Sequence, residues 1–476
     1  MSTAAQASSN AIRPFGMRDK LAYALGDFGC NCSFALNGYL MLFYTQYIGL
    51  SLEVWGIIIL VLKIWDGIND PIMGGLMDSL KPGKRGKFRT YIFYGSFVLA
   101  VSGALCFLPI PDAPMGVKIF VCLTGYLVWD MAYTVVNVPY GAMNAVISSK
   151  PSDRAQLSTF RTLGAMTSAI VVMIILPVFC YDRENNLLGS RIFVIALILG
   201  AAGFLAFQLM LKGVKERVVI PEDAKAHEKY NYLLALKNFF KNRAAVGITL
   251  AAMVQLLMTF GISSANQILF QSFFRNARIS GIAGFISMIP MFVFIPLIKP
   301  VVNKFGKREA AAIPLLLGIL SSLLMAILPV TPDAGGLVLW IILCLLTSLS
   351  TVIFSMVGWA MVADCIDYQE QQTGKREEGT VYATYSLGRK LAQGFGSSII
   401  AFLLILTGYN SALGAQQSMD TANNVRILIG LTQFVCLLFL FILLRFVYNL
   451  GKKKVEEMES SLGRSRGSYA NMPAEE

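Results

Sequence analysis

The chain has 476 residues, of which 55% are hydrophobic and 14% charged, against about a quarter charged in an ordinary soluble protein. That balance excludes disorder, which needs low hydrophobicity, and a single soluble core, which stops growing at about 250–300 residues and needs a more charged surface. The net charge of +12 invites a nucleic-acid partner, but so apolar a chain leaves little wet surface for one, and the composition points to a polytopic membrane protein.

A helix that crosses a bilayer needs about 20 apolar residues. Twelve stretches supply them: 21–48, 54–79, 90–109, 118–147, 160–180, 191–211, 244–272, 280–302, 310–330, 336–363, 381–407 and 426–449. The start, MSTAAQASSNAIRPFGMRDK, lacks the apolar run of a cleavable signal peptide, so the first span is expected to direct insertion. Basic residues set the topology. With the N-terminus inside, 31 of the 40 fall on cytoplasmic segments and six outside (Lys118, Arg183, Arg191, Arg275, Arg278, Arg426), while Lys63, Arg389 and Lys390 remain within spans. Both termini are therefore expected in the cytoplasm.

The longest charged interruption, 213–243, follows the sixth span and divides the chain six plus six. The expected architecture is an all-α membrane protein with twelve transmembrane helices in two six-helix bundles, an arrangement many secondary transporters use. Its parts are a cytoplasmic N-terminus 1–20, a first bundle 21–212, a linker 213–243, a second bundle 244–450 and a tail 451–476 that reads as solvated and partly disordered. Tyr230–Arg243 has helical apolar spacing and is expected along the membrane surface. The eight cysteines lie mostly within spans without metal-site spacing, and read as small apolar residues. The single histidine, His227, is in the linker, which excludes an intramembrane histidine as proton carrier or metal ligand.

Ionisable groups at a bilayer centre cost at least ~2.5–3.5 kcal/mol each, so each is a functional candidate. In the second span, LVLKIWDGINDPIMGGLMD, Lys63, Asp66, Asn69 and Asp70 stand at i, i+3, i+6 and i+7 on one helix face. Two carboxylates one turn apart in low dielectric need a cation between them, a shared proton or a basic partner. Lys63 either partly neutralises Asp66 or carries its charge elsewhere on its long stem. Pro71 is expected to weaken local backbone hydrogen bonds and free carbonyls for an ion. In the fourth span Asp130, Thr134, Asn137 and Gly141 form another stripe, and the oxygens of the two spans suit a hard cation. Arg389 and Lys390 in the eleventh span point about 100° apart, so one of them is expected to face the bundle centre. Interhelical salt bridges are the plain alternative for any one of these residues; a set spread over three helices favours transport. With no histidine cluster, no G-x-S-x-G and no P-loop, neither an enzyme nor an ATP-driven pump is expected.

KIWDGINDPIMG, RGKFR, YTVVNVPYGAM and ADCIDYQEQQTGKREEGTVYATYSLGRK, in that order between about Phe15 and Phe446, resemble the glycoside–pentoside–hexuronide:cation symporters of the major facilitator superfamily. The resemblance implies a sugar or glycoside symporter coupled to Na⁺, Li⁺ or H⁺ and working by alternating access. It implies a multi-pass protein of a bacterial inner membrane, functional as a monomer, with a sugar, a monovalent cation and the lipid bilayer as partners and with no cofactor or nucleic acid. By the same resemblance Asp66 and Asp70 are the cation-binding carboxylates (the only metal role, for Na⁺), with Asn69 and Thr134 beside them. Asn31 and Asn137 match positions that are sugar-binding carboxylates in the melibiose carriers. Lys390 matches a lysine between sugar and ion, and Arg161 matches a sugar-binding basic residue once a one-residue gap is allowed. Asp364, Asp367 and Tyr368 match a gating or helix-anchoring pattern at the cytoplasmic end of the tenth span.

The departures bear on specificity. A sugar-stacking tryptophan of the melibiose carriers corresponds to Gly141 and a first-span lysine to Cys30, which leaves Trp129, Tyr133 or Tyr140 to supply a ring. Asp130 inherits no family role and is grouped with Lys63 in a charge network. Asp27, in LGDFG, is divided between a substrate role and an interhelical bond. Losing two carboxylates while keeping Lys390, with Arg389 beside it, makes a more positive pocket and favours a hexuronide, glucuronide or sulfonated sugar. Neutral pentosides or galactosides are the alternative, in which Asp27 and Asp130 restore the negative charge; a non-transporting sugar sensor is the alternative of a different class.

Overall fold

Apolar backbone in a bilayer can satisfy its N–H and C=O groups only within helices or closed barrels, and runs rich in Leu, Ile, Val, Ala and Gly without alternation form helices here. The computed structural model describes residues 13–79, 88–148, 150–217, 239–374 and 378–461. Within the helices the side chains of 68, 70–79, 145, 151–152, 155, 378–379 and 459 are outside that description. In chain order the helices are α1 (Met17–Phe34), α2 (Asn37–Leu42), α3 (Leu52–Ser79), α4 (Arg89–Leu105), α5 (Met115–Ile147), α6 (Pro151–Cys180), α7 (Gly189–Gly213), α8 (Arg243–Ser272), α9 (Ile279–Phe305), α10 (Lys307–Ala312), α11 (Leu315–Ile327), α12 (Ala334–Thr373), α13 (Glu378–Leu406), α14 (Met419–Ile442) and α15 (Lys452–Ser461). Among the described residues nine helical stretches are long and apolar enough to cross a membrane.

Each predicted stretch contains helix, and several boundaries differ: the ninth stretch divides between Ala312 and Leu315, and the twelfth begins at Met419, seven residues before 426. The first stretch is not one helix: α1 ends at Phe34, α2 follows after two residues, and Phe43–Tyr47 closes with a π-helical turn. The fifth begins nine residues before 160, because Pro151 is pre-shaped for the first helical turn and the polar turns after it need no bilayer. The tenth runs to Thr373, ten residues past 363; its 40 residues reach about 60 Å, twice the hydrocarbon thickness, so its last turns extend beyond the apolar layer. The tail is not wholly unstructured: Lys452–Ser461 is helical, and Met458 is buried. The helix α3 continues through position 71. Residues 218–238 of the linker, including His227 and most of Tyr230–Arg243, lie outside the described residues, as do both ends of the chain.

The chain forms two compact units, one of Met1–Leu50 and Trp65–His227, the other of Ser51–Ile64 and Glu228–Glu476. In the first, α1 packs on α6 and α7, and α4 on α5 and α7. In the second, α8 packs on α13 and α14, and α11 on α12 and α14. The two packing patterns match helix for helix, as parallel repeats do. Glycines let the repeats' first helices approach their neighbours. A Cβ on Gly29 would stand 3.0 Å from the Gly203 carbonyl oxygen between α1 and α7, and one on Gly396 2.4 Å from the Leu257 carbonyl oxygen between α13 and α8. The first half of α3 belongs to the second unit, where Ser398 donates to the Gly56 carbonyl at 2.8 Å.

Polar staples close the ends of each unit. In the first, buried Asp19 accepts Arg13 at 2.8 Å and Arg217 at 3.0 Å, and Arg217 also donates to the Arg13 and Ile147 carbonyls. Arg89 donates to the carbonyls of Val214, at 3.0 Å, and Leu211. In the second unit Arg426, counted in the sequence among outside residues, is buried on α14. It donates to the Met325 and Leu328 carbonyls at 2.5 and 3.0 Å, satisfying the C-terminal carbonyls of α11.

Candidate functional site

The site of the first unit is built on α1, α5 and α6. On α1, Tyr23, Asp27, Cys30 and Asn31 stand at i, i+4, i+7 and i+8, one face of the helix. Asp27 is 8% exposed, and its Oδ1 accepts the Arg161 Nε–H from α6 at 3.2 Å. The Arg161 guanidinium lies 5.0 Å from the centre of the Tyr140 ring. Tyr140 is held by exchange with Tyr23: each hydroxyl donates to the other's backbone carbonyl, at 2.8 and 3.1 Å, and the rings stand 4.7 Å apart. One further contact joins α1 to α5, where the Cys30 thiol donates to Asn137 Oδ1 at 3.8 Å. Asn31 donates to the Asp27 carbonyl of its own helix at 2.9 Å.

The Arg161 side chain stays 35% exposed beside Gly141. A Cβ there would lie 3.7 Å from Arg161 Nη1, so the glycine leaves the guanidinium's edge uncovered. Nε is the atom that engages Asp27. A carboxylate acceptor next to a forked cationic donor can read a pair of sugar hydroxyls, or a hydroxyl and an acid group.

Tyr133, one helix turn from Asn137 on α5, packs on Phe34 at 5.7 Å. It precedes Thr134 on the same helix, so α5 carries Tyr133, Thr134 and Asn137 within one turn. Asp66, Asn69 and Thr134 are all buried, at 6, 2 and 3% exposure, and the Asn69 amide nitrogen makes no hydrogen bond among the described residues. These oxygens fit a small hard cation. The side chain of Asp70 and that of Pro71 lie outside the described residues.

The other candidates separate. Trp129 donates to Ser33 Oγ at 2.6 Å and is 3% exposed, and Tyr140 is fully buried, so of the three rings Tyr133 alone keeps an accessible part. Asp130 stands about two turns from Asn137 on α5, away from the Asn137–Gly141 end of its stripe. The stem of Lys63 packs on Gly394 of α13 in the second unit, where a Cβ would meet it at 2.1 Å. Lys390 is half-buried on α13. Arg389 lies 5.3 Å from the Trp359 ring and donates to the Tyr385 hydroxyl at 3.3 Å. Asp364 accepts Lys307 at 2.6 Å, and Tyr368 takes the Lys454 ammonium on its hydroxyl at 3.2 Å and over its ring at 4.5 Å. Asp364 and Tyr368 thus anchor α12 to α10 and α15, while Asp367 is half-buried beside them. Sequence reasoning missed Tyr23, whose signal was its place one turn before Asp27, and treated Cys30 only as an apolar filler.

The MFS/sugar transport protein family matches residues 22–452. The chain belongs to this family. Among its relatives, the uncharacterised symporter YjmB of Bacillus subtilis is 29% identical over 437 residues, covering 91% of this chain and 92% of that one. The glucuronide carrier protein homolog of Escherichia coli is 26% identical, covering 93% and 94%. The isoprimeverose transporter of Lactiplantibacillus pentosus is 28% identical, covering 84% and 82%. Among solved structures, the nucleoside transporter NupG superposes with a TM-score of 0.62 at 14% identity over 90% of this chain and all of that one, which shows the shared fold. The chain is a multi-pass membrane protein, a sugar transporter of the major facilitator superfamily and not an enzyme.

Proposed function

We propose that the protein is a cation-coupled symporter that carries an anionic sugar, such as a hexuronide or glucuronide, across a bacterial cytoplasmic membrane by alternating access, as a monomer. The observation that carries the reading is on α5, where Thr134 of the cation set stands one turn from Asn137, itself held against Cys30 on the α1 face that carries the Asp27–Arg161 pair. Asp66 and Asp70, with Asn69 and Thr134, hold Na⁺, Li⁺ or H⁺. Charge arriving there changes what Tyr133 and Arg161 experience, and the sugar site is ordered when the cation is bound. Asp27, Asn31, Asn137 and Arg161 take sugar hydroxyls, and Lys390 with Arg389 supplies positive charge. Alternating access then needs only that cation and sugar together bind the transported state better than either alone. Asp364, Asp367 and Tyr368 serve the cytoplasmic end of the cycle.

A second reading, a neutral glycoside, is supported by the ion pair itself: Asp27 already compensates Arg161 at 3.2 Å. The two differ in energetics. A neutral sugar with one cation moves one charge, ~2.3 kcal/mol per 100 mV or about a fiftyfold gradient, whereas an anionic sugar with one cation is electroneutral. Solid-supported-membrane currents test this: a glucuronide is expected to bind in preference to its glucoside and to give no steady charge movement. Preference for the glucoside, with a transport current, would decide for the neutral reading.

A further inference from the structure

The second unit holds a cluster that the ion-pair site leaves unused. Tyr382, Tyr385 and Arg389 stand at i, i+3 and i+7 on α13, and Trp359 meets them from α12. The Trp359 indole stacks on the Tyr382 ring at 5.0 Å and 26°, and receives Tyr385 edge-on at 4.8 Å and 74°. The Arg389 guanidinium lies 5.3 Å from the indole centre and 5.5 Å from the Tyr385 ring. Tyr385 is buried, while Trp359 and Tyr382 are 42% and 55% exposed.

A guanidinium within an apolar helix is ordinarily neutralised by a carboxylate or spent on backbone carbonyls. Arg426 is spent on carbonyls. Arg389 has neither arrangement: its partners are two aromatic faces and one phenol oxygen, and no carboxylate pairs with it among the described residues. An aromatic belt at a membrane interface would explain exposed rings, but not a cation laid over them with donors to spare. A group of partly exposed rings with a forked cationic donor laid against them suits a pyranose that bears an acid group. The apolar C–H face of the sugar lies on the indole, and the guanidinium takes the carboxylate or sulfonate in two parallel hydrogen bonds.

We propose that Trp359, Tyr382, Tyr385 and Arg389 form a ring-stacking, anion-reading half-site in the second unit, and that Trp359 is the stacking residue for which Trp129, Tyr133 and Tyr140 were the sequence candidates. The inference rests on the reading of the chain as a carrier of anionic glycosides. It assigns charge selectivity to Arg389, because Arg161 is already balanced by Asp27.

The test is equilibrium binding of 4-nitrophenyl β-D-glucuronide and 4-nitrophenyl β-D-glucoside to the purified full chain in nanodiscs. Trp359→Ala is expected to weaken both about tenfold, and Trp359→Phe to retain most of the affinity. Arg389→Gln is expected to abolish the preference for the glucuronide while leaving glucoside affinity within about threefold; Arg389→Lys, a point charge without the fork, restores it only in part. A readout independent of variant folding is ¹⁹F NMR of the 5-fluorotryptophan-labelled wild type, in which the Trp359 resonance is expected to move on adding the glucuronide. If the wild type binds sugar but that resonance stays still and the variants keep the wild-type affinities and ratio, the half-site is overturned and the carrier reading stands. If the wild type binds neither glycoside, the carrier reading falls and the half-site falls with it.

Discussion

The Asp27–Arg161 pair makes a quantitative prediction because its two members are unequally buried. The Asp27 side chain is 12% exposed and that of Arg161 35%. Arg161→Gln strands a carboxylate away from water, at a cost of about 3 kcal/mol. Asp27→Asn leaves a guanidinium that water still reaches and that keeps the Tyr140 face at 5.0 Å, so its cost is only about 1 kcal/mol. The neutral double variant loses the pair but strands nothing, and is expected at about 1–2 kcal/mol, giving a coupling of about 2–3 kcal/mol. SDS-titrated unfolding of the four purified proteins in mixed micelles measures all of these. Equal losses for the two single variants, or strict additivity in the double, would refute the claim that burial of Asp27 governs the pair.

Tyr133→Phe is expected to keep sugar binding but to reduce the factor by which the coupling cation strengthens it; a sugar titration with and without Na⁺ checks this, and an unchanged factor counts against Tyr133 as the link. Arg426→Met removes donors from two buried carbonyls at the end of α11 and is expected to lower stability by about 2–4 kcal/mol, read from the unfolding midpoint. Glu216, just beyond α7, is half-buried, and its Oε1 accepts no hydrogen bond among the described residues. Burial raises its pKa above the ordinary 4.5, with Arg89 opposing, so the folded state holds that proton to higher pH than the unfolded chain does. Its contribution to stability therefore falls as pH rises through that window. Glu216→Gln is expected to gain thermal stability at pH 7.5 and to match wild type near pH 4; a gain confined to low pH would reverse the sign.

Hydropathy made the helical stretches legible because lipid leaves the backbone no other choice, and the helices of the two units pack in matching patterns. The ends were less legible. Helix continues through polar turns outside the apolar layer, as at Pro151–Phe160 and Asp364–Thr373, where hydropathy carries no signal. That shift turns Arg161 from a loop-side residue into the partner of Asp27. Arg426 stands about two turns inside a helix that begins at Met419 rather than 426, and its role of capping carbonyls of a helix distant in the chain leaves no trace in the sequence. Lys63 was ambiguous between Asp66 and a more distant partner, and only the closeness of Gly394 shows where its stem runs. Trp359 and Tyr382 lie on different helices, so their stacking has no periodicity to read.

The central claim is coupling through Asp66 and Asp70, and proteoliposomes with an imposed cation gradient test it most directly. Wild type is expected to accumulate labelled glucuronide above the external concentration when a Na⁺ or H⁺ gradient is applied, and to lose the accumulation when that gradient is collapsed. Asp66→Asn and Asp70→Asn are expected to leave the lumenal sugar at or below the external level. Concentrative uptake that persists in both variants would contradict the account.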